Sequence, residues 1–373
     1  MTRLRNGLTN AGMVAASTVA MLVVCELILR IHNPLTSTVV GGRVTLRTNI
    51  TTQVRLPPYP GLDPLVTVHR NALGFRGADP PARLDATLSV IAVGGSTTES
   101  AHITEGLTWP DQLAARLSAS FRPFWLNNAG LSGHSTFGNL ILVNDYVVPL
   151  KPNVVLYLVG INDIGRSDLN RWDRSMVDSD AVRRIEPHSQ LLQALLTLWR
   201  TYQARRVGLG HAHFDFQHAP QITSPAATVA KKQNETSAAL PEFDTRVRQL
   251  IALARAANIQ PVLITQTTVV GGGVDDVSGK DLRRIPWSED LDGELYWAML
   301  ERYNDVLRQV GAQTHTTVID LAAHFPHSSR YYFDLIHYNV EGSREAARIV
   351  YNALCPYLAQ TFPSYQHAAC ATW

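Results

Sequence analysis

From residue 88 onwards, the chain alternates between continuous apolar runs and segments in which apolar residues recur every three or four positions. The predicted strands are "LSVIAV" from residue 88, "FWLNNAG" from 124, "NVVLYLVG" from 153, "PVLITQ" from 261 and "TTVIDL" from 316. Runs without polar alternation are typical of strands buried on both faces. In one intervening segment, a single helical face carries Phe243, Val247, Leu250, Ile251 and Ala254. This order predicts an α/β fold, with a parallel sheet sandwiched between layers of helices.

The first 32 residues have a different pattern. After Arg3 and Arg5, no charged residue occurs before Glu26. The stretch from Arg5 to Glu26 is largely apolar, and its length is close to the roughly 20 residues that a helix needs to cross a bilayer. The two arginines favour a cytoplasmic N-terminus. A cleaved signal peptide is the alternative, but no small-x-small cleavage site follows the apolar stretch. We expect residues 1–32 to be a single-pass transmembrane signal anchor in the cell membrane, with the rest of the chain on the periplasmic or extracellular side.

The remaining chain divides by composition. Residues 33–87 are rich in Pro, Thr and Arg, and are predicted to be an extended linker that docks on the main domain. The main domain is expected over residues 88–358. An insertion at 166–240 exceeds what the sheet needs and is interpreted as a lid or acceptor-binding segment, whose residues 208–240 are typical of a mobile loop. A C-terminal tail follows at 359–373.

Charge and cysteine content exclude several classes of function. Lys and Arg number 33 against 31 Asp and Glu, for a net charge of +2, and no basic block stands out, so we expect no nucleic-acid partner. Cys355 and Cys370 either form a bridge in an oxidising compartment or are unrelated thiols, with equal weight. No CxxC or HExxH motif occurs, and His211, His213 and His218 lie among loop-like residues, so no metal site is expected. The sequence does not predict an oligomeric state.

Polar clusters follow the predicted strands at the positions that an acyl-transfer site requires. "GGSTTE" follows the first strand, "NNAGLSG" the second and "GINDIG" the third, and "YYFDLIHYN" precedes the last helix. Ser96 supplies a hydroxyl, His337 a base, and Asp334 a carboxylate that orients the base. The N–H groups of Ser96 and Gly130 and the side-chain amide of Asn162 are the expected oxyanion donors. Each residue alone also fits a turn or a helix start, but their combined order favours catalysis.

These four clusters resemble the blocks of the SGNH (GDSL-type) hydrolase family, over roughly residues 88–358. "GGSTTE" is similar to the serine block, "NNAG" to the glycine block, "GIND" to the Gly-x-Asn-Asp block and "DLIH" to the Asp-x-x-His block. The resemblance implies a flavodoxin-like three-layer α/β/α sandwich with no metal or organic cofactor. It also implies that Ser96 is the nucleophile, that Asp334 and His337 complete the triad, and that Gly130 and Asn162 are oxyanion donors. Gly95 stands where the family usually has aspartate, and "NALGFRG" is similar to a segment of membrane-anchored members.

The resemblance and the expected anchor together suggest a substrate class. We expect a serine esterase that hydrolyses an O-acyl ester, preferably O-acetyl, on an envelope glycan or glycolipid through an acyl-enzyme. One alternative is a lipid esterase or lysophospholipase, and another is an O-acyltransferase with the same triad. A third, in a different class, is a non-catalytic glycan-binding protein on the same scaffold.

Overall fold

The computed structural model describes residues 2–35, 37–165, 179–206 and 213–373. Its helices are α1 Thr2–Ile31, α2 Ser96–Glu99, α3 Trp109–Ser120, α4 Thr136–Leu142, α5 Val148–Leu150, α6 Asp180–Ile185, α7 Gln190–Arg206, α8 Ala226–Ala256, α9 Gly293–Thr314, α10 Leu321–His324 and α11 Val340–Thr361. Its strands are β1 Val39–Val40, β2 Arg43–Val44, β3 Ile50–Arg55, β4 Leu65–Arg70, β5 Leu88–Gly94, β6 Phe124–Asn128, β7 Val154–Leu158, β8 Gln260–Ile264, β9 Pro286–Ser288, β10 Leu291–Asp292 and β11 Thr317–Ile319. Two parts of the predicted insertion, 166–178 and 207–212 with His211, lie outside the described residues.

The central sheet contains, within the described ranges, five parallel strands in the order β11-β8-β7-β5-β6. Counted along the chain from β5, this is the order 2-1-3-4-5 of flavodoxin-like doubly wound sheets. Every residue of β5 and β7 is buried, as expected for strands covered on both faces. The predicted α/β class is confirmed.

Helices cover both faces of this sheet. Alternate side chains of β5, β7 and β8 share one apolar core with residues of α3 and α11, among them Trp109, Leu113 and Leu354. On the opposite face, the hydroxyl of Tyr157 in β7 donates a hydrogen bond of 3.2 Å to the carbonyl of Leu250 in α8. The strands are therefore fixed from both sides, and so are the residues that follow their carboxyl ends.

The described residues divide into two compact units, one within 1–45 and 175–210 and the other within 46–174 and 211–373. The boundary falls inside the predicted linker 33–87. In the second unit, the residues after this boundary form the antiparallel β3–β4 hairpin and continue to Arg76, whose side chain is fully buried.

The first unit contains α1, the β1–β2 hairpin, α6 and α7. Within α1, the segment Asn10–Ile31 has a mean hydropathy of 2.2 and is long and apolar enough to cross a membrane. This length fits either the predicted anchor or a signal peptide. The orientation in a membrane stays a prediction.

One local prediction is wrong. Residues 226–240, interpreted as part of a mobile loop, form the first half of the 31-residue helix α8. Five alanines, two lysines and one glutamate, which are good helix formers, lie in this stretch, and the loop interpretation gave too much weight to its threonines and to the neighbouring Pro225.

The two C-terminal cysteines form a disulfide between Cys355, in α11, and Cys370, in the tail. The N–H of His367 donates a hydrogen bond of 2.8 Å to the carbonyl of Ser120 at the end of α3. The Arg116 guanidinium of α3 lies 5.6 Å from the centre of a Trp373 ring. The tail is therefore held against α3 and α11.

Candidate active site

The sequence clusters meet at the point where the sheet order reverses. β5 lies between β6 and β7, and the chain proceeds outwards from it in both directions. Ligands of doubly wound sheets bind outside the carboxyl ends of the strands at this switch point. Ser96 begins α2 directly after β5, and Asn162 follows β7 in a short 3-10 turn.

Ser96, His337 and Asp334 form a continuous chain of hydrogen bonds. The Oγ of Ser96 lies 2.8 Å from Nε2 of His337, and Nδ1 of His337 lies 2.7 Å from Oδ2 of Asp334. The other carboxylate oxygen of Asp334 accepts the N–H groups of Ile336 at 2.8 Å and His337 at 2.7 Å. An ionised carboxylate only accepts, so Nδ1 carries the proton and Nε2 is left to accept the serine proton.

The electrostatics keep the carboxylate ionised. Burial alone would raise the pKa of Asp334, but the charge and hydrogen bond of His337 and the N–H groups of His337 and Ile336 lower it below its ordinary value. An ionised Asp334 stabilises the imidazolium that forms when His337 takes a proton. The arrangement can therefore activate a serine hydroxyl for attack on a carbonyl carbon.

The side-chain amide of Asn162 lies next to the turn that carries the serine. Its Nδ2 donates a hydrogen bond of 3.0 Å to the carbonyl of His134. A Cβ placed on Gly95 would lie only 2.2 Å from that Nδ2. Glycine at position 95 thus allows Asn162 to lie against the turn that carries Ser96.

Gly130 has a different environment from the one that an oxyanion donor needs. Its N–H donates a hydrogen bond of 2.9 Å to Oδ1 of Asn128. The residue is buried beneath α2, where an added Cβ would meet the backbone nitrogen of Glu99 at 2.3 Å. The structure therefore gives the N–H of Gly130 an acceptor inside the protein.

Two arginines from the segment before β5 hold the turn in place. The guanidinium of Arg76 donates to the carbonyls of Glu99 at 2.7 Å and Ser100 at 2.8 Å, which end α2, and to the carboxylate of Glu105 at 3.1 Å. Arg70 forms an ion pair with the carboxylate of Glu99. These contacts were not predicted. The segment "NALGFRG" was noted only for its resemblance to other family members, and a charged residue in a polar loop is usually exposed to solvent.

Glu99 connects the first two sequence blocks. Its carboxylate accepts the N–H of Ser132 at 2.7 Å as well as the Ser132 hydroxyl. Burial alone would raise the pKa of Glu99, but the charges of Arg70 and Arg76 and the two Ser132 donors lower it. An ionised glutamate therefore fixes the loop after β6 against the serine turn.

The aspartate of the "GIND" block, Asp163, forms hydrogen bonds inside the protein. Asp163 is fully buried and accepts the N–H of Thr136 at 3.1 Å and a guanidinium proton of Arg246 at 3.4 Å. It therefore ties the turn that carries Asn162 to α4 and α8.

Of the three histidines considered for a metal, His213 and His218 lie in the described part of the chain, and each has another partner there. His213 stacks on the ring of Tyr59 with 5.4 Å between centroids, and His218 lies 2.8 Å from a carboxylate oxygen of Asp215.

Comparison with known proteins decides the family. The model of the GDSL-like lipase/acylhydrolase family matches residues 92–345, which is more than half of the chain. The chain belongs to this family. It is an enzyme that hydrolyses ester bonds. No curated protein matches its sequence.

Solved structures similar to this GDSL-like hydrolase are distant. One is LAE5, an alpha/beta hydrolase enzyme from the metagenome of Lake Arreo, with 17% identity, 71% of this chain and 94% of that chain covered, and a TM-score of 0.41. Another is Axe2, an acetylxylan esterase from Geobacillus stearothermophilus, with 15% identity, 75% and 97% covered, and a TM-score of 0.41. A third is the acetyl xylan esterase AlAXEase, with 15% identity, 71% and 99% covered, and a TM-score of 0.40.

A small pocket opens beside Ser96 in this GDSL-like hydrolase. It offers about 190 Å³ of empty space, part of it open to solvent, and its lining includes Ile103, Phe333 and His102. The ring of His102 lies 5.0 Å from that of Phe333 and 6.1 Å from that of His337. Burial, together with the charge of His337, lowers the pKa of His102 to about 4. His102 is therefore a neutral neighbour of His337 near neutral pH, and no sequence motif indicated it.

Proposed function

We propose that this enzyme is a serine esterase that removes a short acyl group, preferably acetyl, through an acyl-enzyme on Ser96. The observation that carries the proposal is the hydrogen-bonded chain from Ser96 through His337 to Asp334 beside an open pocket. Ser96 Oγ attacks the ester carbonyl while Nε2 of His337 takes its proton, and the imidazolium then protonates the departing alcohol oxygen. Water, deprotonated by His337, attacks the acyl-serine, releases the carboxylic acid and restores Ser96.

The negative charge on the carbonyl oxygen needs hydrogen-bond donors. We assign this role to the N–H of Ser96, which has no acceptor within α2 because it begins the helix, and to Nδ2 of Asn162. A third donor is the N–H of Gly133 rather than that of Gly130. The backbone of Gly133 has a φ of +80°, a conformation that favours glycine. Gly133 directly precedes His134, whose carbonyl accepts a hydrogen bond from the Asn162 amide.

The pocket favours a short acyl group. The empty space beside Ser96 is only about 190 Å³ even when the part open to solvent is included. Ile103 and Phe333 give it apolar walls suited to a methyl group rather than to a long chain.

Two features of the chain support a substrate outside the cytoplasm. The Cys355–Cys370 disulfide is typical of oxidising environments, and α1 contains a segment long enough for a membrane anchor. We therefore propose O-acetylated envelope glycans or glycolipids as substrates of an enzyme anchored with its catalytic unit outside the cytoplasm.

The test is hydrolysis of p-nitrophenyl acetate, butyrate and octanoate by the full-length enzyme in detergent. We expect kcat/KM to fall with chain length and all turnover to disappear in Ser96→Ala. The matched control is Ser100→Ala, since Ser100 lines the same pocket and should retain turnover. A preference for octanoate would contradict the short-chain assignment and favour a lipid substrate, and activity in Ser96→Ala would contradict the mechanism.

A further inference from the structure

An apolar stripe on α7 is exposed to solvent. Leu195, Leu198, Trp199 and Tyr202 lie at i, i+3, i+4 and i+7, and their exposed fractions are 53%, 51%, 49% and 60%. This spacing places them on one face of the helix. Four large apolar side chains exposed together on one helix are typical of a surface that contacts a non-aqueous phase or a partner.

The opposite face of α7 already has its partners. Gln193, Ala194 and Arg200 are buried. The Arg200 guanidinium pairs with Glu186 at 3.0 Å and donates to the carbonyl of Val39 at 3.1 Å. These contacts fix the rotation of α7 about its axis, so the stripe is not the side that packs inside its own unit.

The first turn of α7 is joined to the last turns of α1. The carboxylate of Glu26 accepts the N–H groups of Gln190 at 3.1 Å and Leu191 at 2.8 Å. Arg30 donates to the carbonyl of His188 at 2.9 Å. An acidic residue near the end of an apolar helix thus has its hydrogen bonds satisfied by α7. If α1 spans a bilayer, α7 begins where α1 leaves the hydrocarbon.

We propose that α7 lies in the interface of the same bilayer, with the stripe Leu195, Leu198, Trp199 and Tyr202 in contact with lipid. An amphipathic helix with leucine and tryptophan on its apolar face is suited to the boundary between headgroups and acyl chains. Tryptophan and tyrosine are enriched at that depth. Continuity with α1 selects lipid rather than a protein partner, because α1 brings the N-terminus of α7 to the membrane surface. This inference rests on the proposed membrane anchor.

The experiment measures where nitroxide labels lie in the full-length enzyme reconstituted in vesicles of phosphatidylethanolamine and phosphatidylglycerol. Cys25→Ser removes the one free thiol among the described cysteines. Single cysteines are then placed at Leu198 in the stripe, at Val19 in α1 and at Arg83, an exposed residue that serves as the aqueous reference. Power saturation compares accessibility to oxygen, which partitions into lipid, with accessibility to a water-soluble nickel chelate. Each labelled enzyme must retain ester hydrolysis.

We expect the oxygen-to-nickel accessibility ratio at Leu198 to exceed that at Arg83 several-fold, and the ratio at Val19 to be higher still. A lipid-like ratio at Val19 with a water-like ratio at Leu198 would overturn the inference and leave the anchor intact. Low accessibility of Leu198 to both reagents would also overturn it, because it would mean that protein covers the stripe. A water-like ratio at Val19 would overturn the anchor and the inference together.

Discussion

Gly95→Ala tests whether Asn162 acts on the reacting oxygen. The added Cβ would lie 2.2 Å from Nδ2 of Asn162 and 3.3 Å from the carbonyl of His134, whereas real Cβ contacts essentially never fall under 3.0 Å. The Asn162 amide must therefore move by most of an ångström. Loss of one oriented oxyanion donor costs about 10²- to 10³-fold in kcat, or about 3–4 kcal/mol. We expect Gly95→Ala to lower kcat on p-nitrophenyl acetate by about 10²-fold, with little change in KM.

A double-mutant cycle isolates the mechanism of this loss. Asn162→Gly should lower kcat by a similar factor, and the double variant should be no worse than Asn162→Gly, because the added methyl group then has no amide to displace. Gly273→Ala is the matched control, since an added Cβ there has no neighbour within 4 Å. Independent, multiplying losses in the double variant would refute the reasoning, as would an unchanged kcat in Gly95→Ala. Gly95→Asp, which introduces the residue usual in the family, should also be impaired.

Three further predictions concern stability. In a urea titration, Arg76→Met should lower the free energy of unfolding by about 3–5 kcal/mol, because Glu105 and the carbonyls at the end of α2 lose a buried partner. Arg83→Met, which removes an exposed ion pair, is the control and should lower it by less than about 1 kcal/mol. Equal costs would contradict the buried role of Arg76. Cys370→Ser should cost about 3 kcal/mol, since the bridge spans 15 residues, and dithiothreitol should then destabilise the wild type but not the variant. The pKa of His102 is lowered from 6.5 to about 4, so its contribution to stability is complete above pH 6.5 and is lost as the pH falls towards 4, by at most about 3 kcal/mol. His102→Gln should remove that part of the pH dependence, and an unchanged profile would refute the burial argument.

The sheet could be predicted from the sequence because its strands are buried on both faces. Continuous apolar runs such as the one in β5 identify strands of this kind without help from tertiary context. The first half of α8 could not be predicted in the same way. Its residues show no clear apolar face before Ala239, and the helix continues through Pro241. The β3–β4 hairpin was missed because Val66 is the one buried residue in its two strands, so no continuous apolar run marks them.

The residues of the candidate site differ in how visible they are to sequence reasoning. Asp334 and His337 occur in one short motif whose spacing reflects a local turn. Ser96 follows the carboxyl end of a predicted parallel strand, where the site of such a sheet is expected, so the meeting of the three could be expected. The acceptor of the Gly130 N–H depends on the side chain of Asn128, which spacing alone does not place. The contacts of Arg76 with the end of α2 join residues more than twenty positions apart, and no local pattern reports them.

The central claim is that Ser96 is the nucleophile, and covalent labelling tests it most directly. A fluorophosphonate reacts with an activated serine and loses fluoride, which leaves a stable phosphonyl adduct that peptide mass spectrometry can locate. We expect a single adduct on Ser96 in the wild type and in Ser100→Ala, and no adduct in Ser96→Ala. An adduct on another serine, or labelling that persists in Ser96→Ala, would contradict the account.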